Sequence, residues 1–138
     1  MTADDIVAAA RACIGTPFAH QGRLVGVGMD CAGVVIHAVR SIGIEAIDVL
    51  GYGRTPNKNQ LAAALDAQPA LERVWNIADR KAGDILLMRF LGEPQHVAIC
   101  TGDGAIHAYE AVGACCEHRI CSKWANRIVR VYRVKGLA

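Results

Sequence analysis

The chain has 138 residues, 53% of them hydrophobic, with 15 Lys and Arg against 13 Asp and Glu for a net charge of +2. That length suits one domain, residues 1–138, with enough buried surface to fold without a disulfide or a metal. Mixed, nearly balanced charge leaves no electrostatic footprint for nucleic acid. The longest apolar runs, Gly33–Ile36 and Ile85–Met88, are far shorter than the ~20 residues of a membrane span, so membrane insertion is not expected.

Thr2, with Asp5 three residues later, caps a predicted helix running to about Cys13, and Gly15-Thr16-Pro17 ends it. Residues 18–29 carry Gly22, Gly26 and Gly28 without a clean period and read as a loop. A second helix runs from Cys31 to Ile42, with Val34, Val35, Ala38 and Ile42 at helical spacing and Gly43 as its left-handed cap. Asn57 and Gln60 open a short third helix over Leu61–Ala67. Strands follow at Ile85–Phe90, His96–Thr101, Ala105–Glu110, Cys115–Ile120 and Ile128–Val134, with Gly92 and Pro94 breaking the first and Gly102-Asp103-Gly104 turning the second into the third. Helices first and strands afterwards predict an α+β fold: an antiparallel sheet of about five strands with the N-terminal helices on one side.

The opening Met1-Thr2-Ala3-Asp4-Asp5 is acidic where a secretory signal is basic, which predicts no signal peptide and thiols that stay reduced. Of the six cysteines, Cys115, Cys116 and Cys121 crowd together, but their spacing is not that of a metal set and His118 does not complete one. They read as small apolar fillers, and no cofactor is implied.

Cys31 is different. It follows Asp30 at the start of a predicted helix, where the positive end of the helix dipole favours the attacking thiolate. Ala32 and Gly33 leave room beside the sulfur. A nucleophile of this kind needs a base within about 3 Å and a third group that fixes the tautomer of the base. His96 and His107, facing each other across the tight turn, supply two imidazoles. Asp30 reads as a brace or cap for the loop, His20 as a pocket or loop residue, His37 as a helix-surface residue and Asp84 as structural. Trp75 and Trp124 read as packing residues, with Trp124 also a candidate docking residue.

In order, Gly15-Thr16-Pro17-Phe18, Gly28-Met29-Asp30-Cys31-Ala32-Gly33-Val34-Val35, Gly83-Asp84-Ile85-Leu86, His96-Val97-Ala98-Ile99 and Ile106-His107-Ala108 resemble the NlpC/P60 cysteine peptidases over about residues 5–110. That resemblance implies a papain-like fold and hydrolysis of peptidoglycan stem peptides between γ-D-glutamyl and a diamino acid. It implies Cys31 as nucleophile, His96 as general base and His107 as the orienting residue, with Phe18 where the family places a substrate-holding Tyr; His20 and Asp30 are further candidates for contact with the substrate. His20-Gln21, the Val-Gly-Val-Gly approach to Asp30 and His107-Ala108-Tyr109 resemble the phage-tail and gene-transfer-agent branch. Made in the host cytoplasm, such a chain would be carried in a virion beside tail hub or tail-tip proteins. A structural tail-tip module with little activity, or an amidase or acyltransferase, remain alternatives. The sequence departs from the family where Phe18 replaces Tyr, where Ala32 replaces Ser, and in a loop before Cys31 one residue longer than the common form.

Overall fold

The computed structural model describes residues 2–48, 60–90 and 93–137. Helix α1 (Ala3–Arg11) starts where the Asp5 carboxylate accepts the Thr2 backbone N–H at 2.8 Å, and it buries Ile6, Val7 and Ala10. Helix α2 (Cys31–Ser41) buries Gly33, Val34, Val35, Ala38 and Val39 against α1 and the sheet. It ends at Gly43, whose φ of +82° is the left-handed cap conformation. Helix α3 covers Gln60–Asp66; its expected cap Asn57 lies outside the described residues.

The stretch read as a plain loop contains two short strands, β1 (Arg23–Leu24) and β2 (Gly28–Met29), paired antiparallel. Bridges from Phe18 to Met29 and from Pro17 to Ala114 tie this hairpin to the main sheet. That sheet has six strands where the sequence predicted about five. They are β3 (Leu71–Val74), β4 (Ile85–Phe90), β5 (Glu93–Cys100), β6 (Gly104–Tyr109), β7 (Ala114–Arg119) and β8 (Ile128–Val134). Their order is β3-β8-β4-β5-β6-β7, and every neighbouring pair is antiparallel. The unforeseen strand β3 is a four-residue edge without strong alternation, held by pairing with β8. Pro94, expected as a breaker, sits inside β5 opposite Arg89, beside a register shift between Met88 and Arg89.

Both faces of the sheet are covered, which explains the unbroken apolar run in β4. Ile85 and Leu87 join Val97, Ile99, Ile106 and Ala108 beneath the helices. Leu86 and Met88 join Ala98, Cys100, Ala105, Ile128 and Val131 on the opposite face, with Ile77, Ile120 and Trp124 packed against them. Trp124 belongs to a four-residue helix, α4 (Ser122–Ala125), which the sequence did not suggest. Asp84, 1% exposed, receives both Nε and Nη2 of Arg133 at 2.8 Å and the Lys81 N–H at 2.9 Å. This clamps β4 to β8, the structural part foreseen for it. Among the described residues no helix is long and apolar enough to cross a membrane.

Candidate active site

Cys31 is the first residue of α2, and the preceding residue dominates its surroundings. Asp30 is buried, and its carboxylate accepts the backbone N–H groups of Gly33 and Gln21 at 2.9 Å each. It also pairs with Arg23 Nη1 at 2.8 Å, while Arg23 forks onto Asp48. Asp30 is thus the helix cap and the brace of the loop, and it occupies the positive end of the helix itself. The consequence corrects the expectation of a ready thiolate: the Cys31 thiol is pushed up to about 12. Burial is the largest cause and the Asp30 charge the next, only partly offset by the backbone N–H groups of Val97 and Ala32 and by Arg23. Gly33 also differs from expectation. A Cβ there would lie 2.4 Å from the Gly22 carbonyl oxygen, so its smallness lets the loop seat on the helix; it is Ala32 that borders the cleft.

His96 is nearly buried on β5 and His107 fully buried on β6. Ladder pairing between these strands stops at Ile99↔Ile106, so the two histidines meet diagonally, with His96 Nε2 and His107 Nδ1 in hydrogen-bond contact at 2.5 Å. His107 Nε2 lies 2.8 Å from His118 Nε2, and His118 Nδ1 lies 2.8 Å from the Arg119 carbonyl oxygen. His118 on β7 sits opposite Ala105, one diagonal step from His107. All three rings follow the alternation of Ala98 and Ala105 and so lie on the face away from α1 and α2.

Aromatic side chains clamp this row. Phe90 stacks on His96 at 4.7 Å and Tyr109 on His107 at 5.3 Å. Trp124 lies 4.7 Å from the His118 ring and edge-on to His107 at 5.3 Å, with Arg127 over its face. Trp124 is therefore a half-buried wall of the site and not an exposed docking aromatic. Burial is the first cause that holds His96 well below its usual 6.5, and the electrostatic influence of the neighbouring His107, Arg127 and His118 acts in the same direction. His107 is lowered to about 4, again by burial first and then by His118.

A cleft of about 370 Å³ brings together Phe18, His20, Asp30, Cys31 and His96, with Tyr109, Glu110 and Gln95 on its rim. The Phe18–Met29 bridge keeps residue 18 at the cleft despite the longer loop. His107 stands behind His96, outside the lining. A larger, more apolar cavity of about 500 Å³ between α2 and α3 has, among the described residues, no cysteine or histidine in its lining.

Elsewhere, His37 is half-exposed on α2 and contacts Ser41, as expected for a helix-surface residue. Trp75, expected to pack, is 80% exposed with Arg73 stacked over it at 4.2 Å. Of the crowded cysteines only Cys115 is buried; Cys116 is half-buried and Cys121 exposed. Among the described residues no group of side chains is arranged to hold a metal ion. Sequence reasoning missed Arg23, Tyr109 and His118 at the site. For His118 a signal existed: it alternates in phase with Cys116, one strand over from His107.

Helices over one face of an antiparallel sheet, with a cysteine at a helix start and histidines on the central strands, define a papain-like α+β domain. The chain belongs to the NlpC/P60 family, whose model matches residues 15–133. Among solved structures it is similar to the NlpC/p60 domain of the peptidoglycan hydrolase SagA, at 23% identity and a TM-score of 0.66, covering 99% of this chain and 100% of that one. It is also similar to an NlpC/P60 family protein from Bacillus cereus, at 19% identity and a TM-score of 0.69, covering 99% of this chain but 41% of that one. The peptidoglycan hydrolase RipB from Mycobacterium tuberculosis matches at 20% identity and a TM-score of 0.66, covering 97% and 65%. The chain thus spans under half of the Bacillus cereus protein and all of the SagA domain. No curated protein matches it significantly.

Proposed function

We propose that this chain is a cysteine endopeptidase of peptidoglycan stem peptides, cutting between γ-D-glutamyl and a diamino acid. In this reading Cys31 is the nucleophile, His96 the general base and His107 the orienting residue. The observation that carries it is that Cys31 and His96 line one cleft, with His96 Nε2 engaged by His107, so that Nδ1 is the nitrogen available to act as a base. Family membership and the fold shared with peptidoglycan hydrolases supply the substrate class.

Both groups rest neutral, with the thiol pushed up and the imidazole held down. The proton therefore leaves sulfur as the S–C bond forms, passing to His96 Nδ1. Collapse breaks the C–N bond, and His96 hands that proton to the departing amine. Water then attacks the thioester and gives one proton to His96; collapse breaks the C–S bond, His96 returns that proton to sulfur, and the new carboxyl group leaves, losing its remaining proton to solvent. Phe18 supplies a ring and no hydroxyl at the substrate, while His20 lines the same wall.

An acyltransferase would share every step before water attacks. Cleavage of a defined stem peptide in ¹⁸O-labelled water separates the two. The endopeptidase reading expects one ¹⁸O in each new carboxyl group. Transfer of the acyl group to an added amine in preference to water would overturn it.

Delivery by a phage tail or tail-like particle, beside hub or tail-tip proteins, is part of the proposal. It is supported by the likeness of His20-Gln21, Val25-Gly26-Val27-Gly28 and His107-Ala108-Tyr109 to that branch of the family. Fractionation of purified particles followed by blotting tests it, and absence of the chain from particles would remove the virion setting.

A further inference from the structure

We propose that His118 is a fourth member of the site, a positioning residue that sets the tautomers of His107 and His96 and so leaves Nδ1 of His96 unprotonated, as a base for Cys31 requires. This rests on the reading of His96 as the base. The proton positions are fixed from the far end of the row. A carbonyl oxygen has no proton to give, so His118 Nδ1, 2.8 Å from the Arg119 oxygen, must be the N–H. In a neutral ring that leaves a lone pair on His118 Nε2. His107 Nε2, 2.8 Å away, then has to be the donor. The lone pair of His107 falls on Nδ1, and His96 Nε2 donates to it. What remains on His96 is an unprotonated Nδ1.

One backbone oxygen thus polarises three rings in a single direction. Without His118 nothing prevents His107 from carrying its proton on Nδ1. It would then donate to His96 Nε2 and leave the His96 proton on Nδ1, so that the nitrogen assigned as the base would already carry a proton. The stacked Phe90 and Tyr109 rings and the Trp124 edge resist ring rotation, so tautomer choice is the freedom left to control. Burial disfavours the charged forms of His96 and His107 that would blur the pattern. His118 is only half-buried, and its substitution leaves the apolar clusters intact.

Long-range ¹H–¹⁵N spectra of ¹⁵N-histidine-labelled protein near neutral pH read the tautomers directly and need no substrate, so they test this inference even if the proposed cleavage fails. The five histidines are assigned by single substitution. The expected wild-type pattern is His118 protonated on Nδ1, with His107 and His96 protonated on Nε2. His118→Phe should shift His107 and His96 to mixed or Nδ1-protonated forms and lower kcat about 10–100-fold, the usual scale for an outer-shell partner. His118→Gln, whose side-chain oxygen accepts from His107, should restore the wild-type tautomers and most of the activity. An Nδ1-protonated His107 in the wild type would overturn the proposal. So would a His118→Phe variant with unchanged ring spectra, or a His118→Gln variant as impaired as His118→Phe.

Discussion

The carboxylate of Asp30 stands beside the Cys31 thiol and takes the Gly33 N–H at 2.9 Å, filling the helix terminus that would otherwise favour a thiolate. Replacing it with Asn keeps an acceptor for the cap and removes the charge. Asp30 raises the Cys31 pKa, so Asp30→Asn should lower it. The pH midpoint of Cys31 alkylation should move downward, and the variant should react faster than wild type at any fixed pH below it. An unchanged midpoint would mean that burial alone sets the thiol.

Cys121 is exposed, and its pKa is lowered, chiefly by the Trp124 backbone N–H. A limiting dose of iodoacetamide should therefore label Cys121 before Cys31 in the free protein, with little loss of activity. Activity should fall only as Cys31 is modified. Peptide mass mapping against residual activity checks this, and inactivation that tracks Cys121 would contradict it.

His107 is neutral and buried, with its folded pKa near 4 against 6.5 for the ordinary side chain. The unfolded chain therefore takes up the proton first as pH falls. The stability this group contributes is present above pH 6.5 and is lost as pH falls toward 4. Between pH 7.5 and 4.5 the loss is about 2–3 kcal/mol. Urea unfolding at the two pH values should give a smaller difference in His107→Gln than in wild type; equal differences would exclude the linkage.

At Gly33 the backbone of one element touches that of another, and an added methyl meets the Gly22 carbonyl oxygen at 2.4 Å. Gly33→Ala should destabilise the protein by about 1–3 kcal/mol, the usual cost of overpacking. It should also cut activity by shifting the loop that carries Phe18 and Asp30. Thermal melting and turnover together check this; a variant as stable as the wild type would mean that the loop moves aside to admit the methyl.

Much of this was legible because local rules and tertiary structure agree. Helix α2 runs over Cys31–Ser41 where the apolar spacing predicts it, and β8 matches Ile128–Val134 residue for residue. The turn at Gly102 brought His96 and His107 together, though by a diagonal contact and not as ladder partners. What stayed hidden depends on partners distant in sequence. Strand β3 has only an edge position and β8 to define it. His118 gains meaning only beside His107, and the burial of Trp124 follows from the histidines it covers. The thiol was misjudged for a similar reason. The helix terminus is visible in sequence, but its occupation by Asp30 and the desolvation of Cys31 are not.

The most direct test of the central claim is digestion of purified peptidoglycan by the wild-type protein and by Cys31→Ala, with released fragments identified by mass spectrometry. The account expects the wild type to release fragments ending at the γ-D-glutamyl carboxyl group, and Cys31→Ala, folded to the same melting temperature, to release none. Equal release by both proteins would remove Cys31 as the nucleophile. No release by either protein would contradict the endopeptidase reading itself.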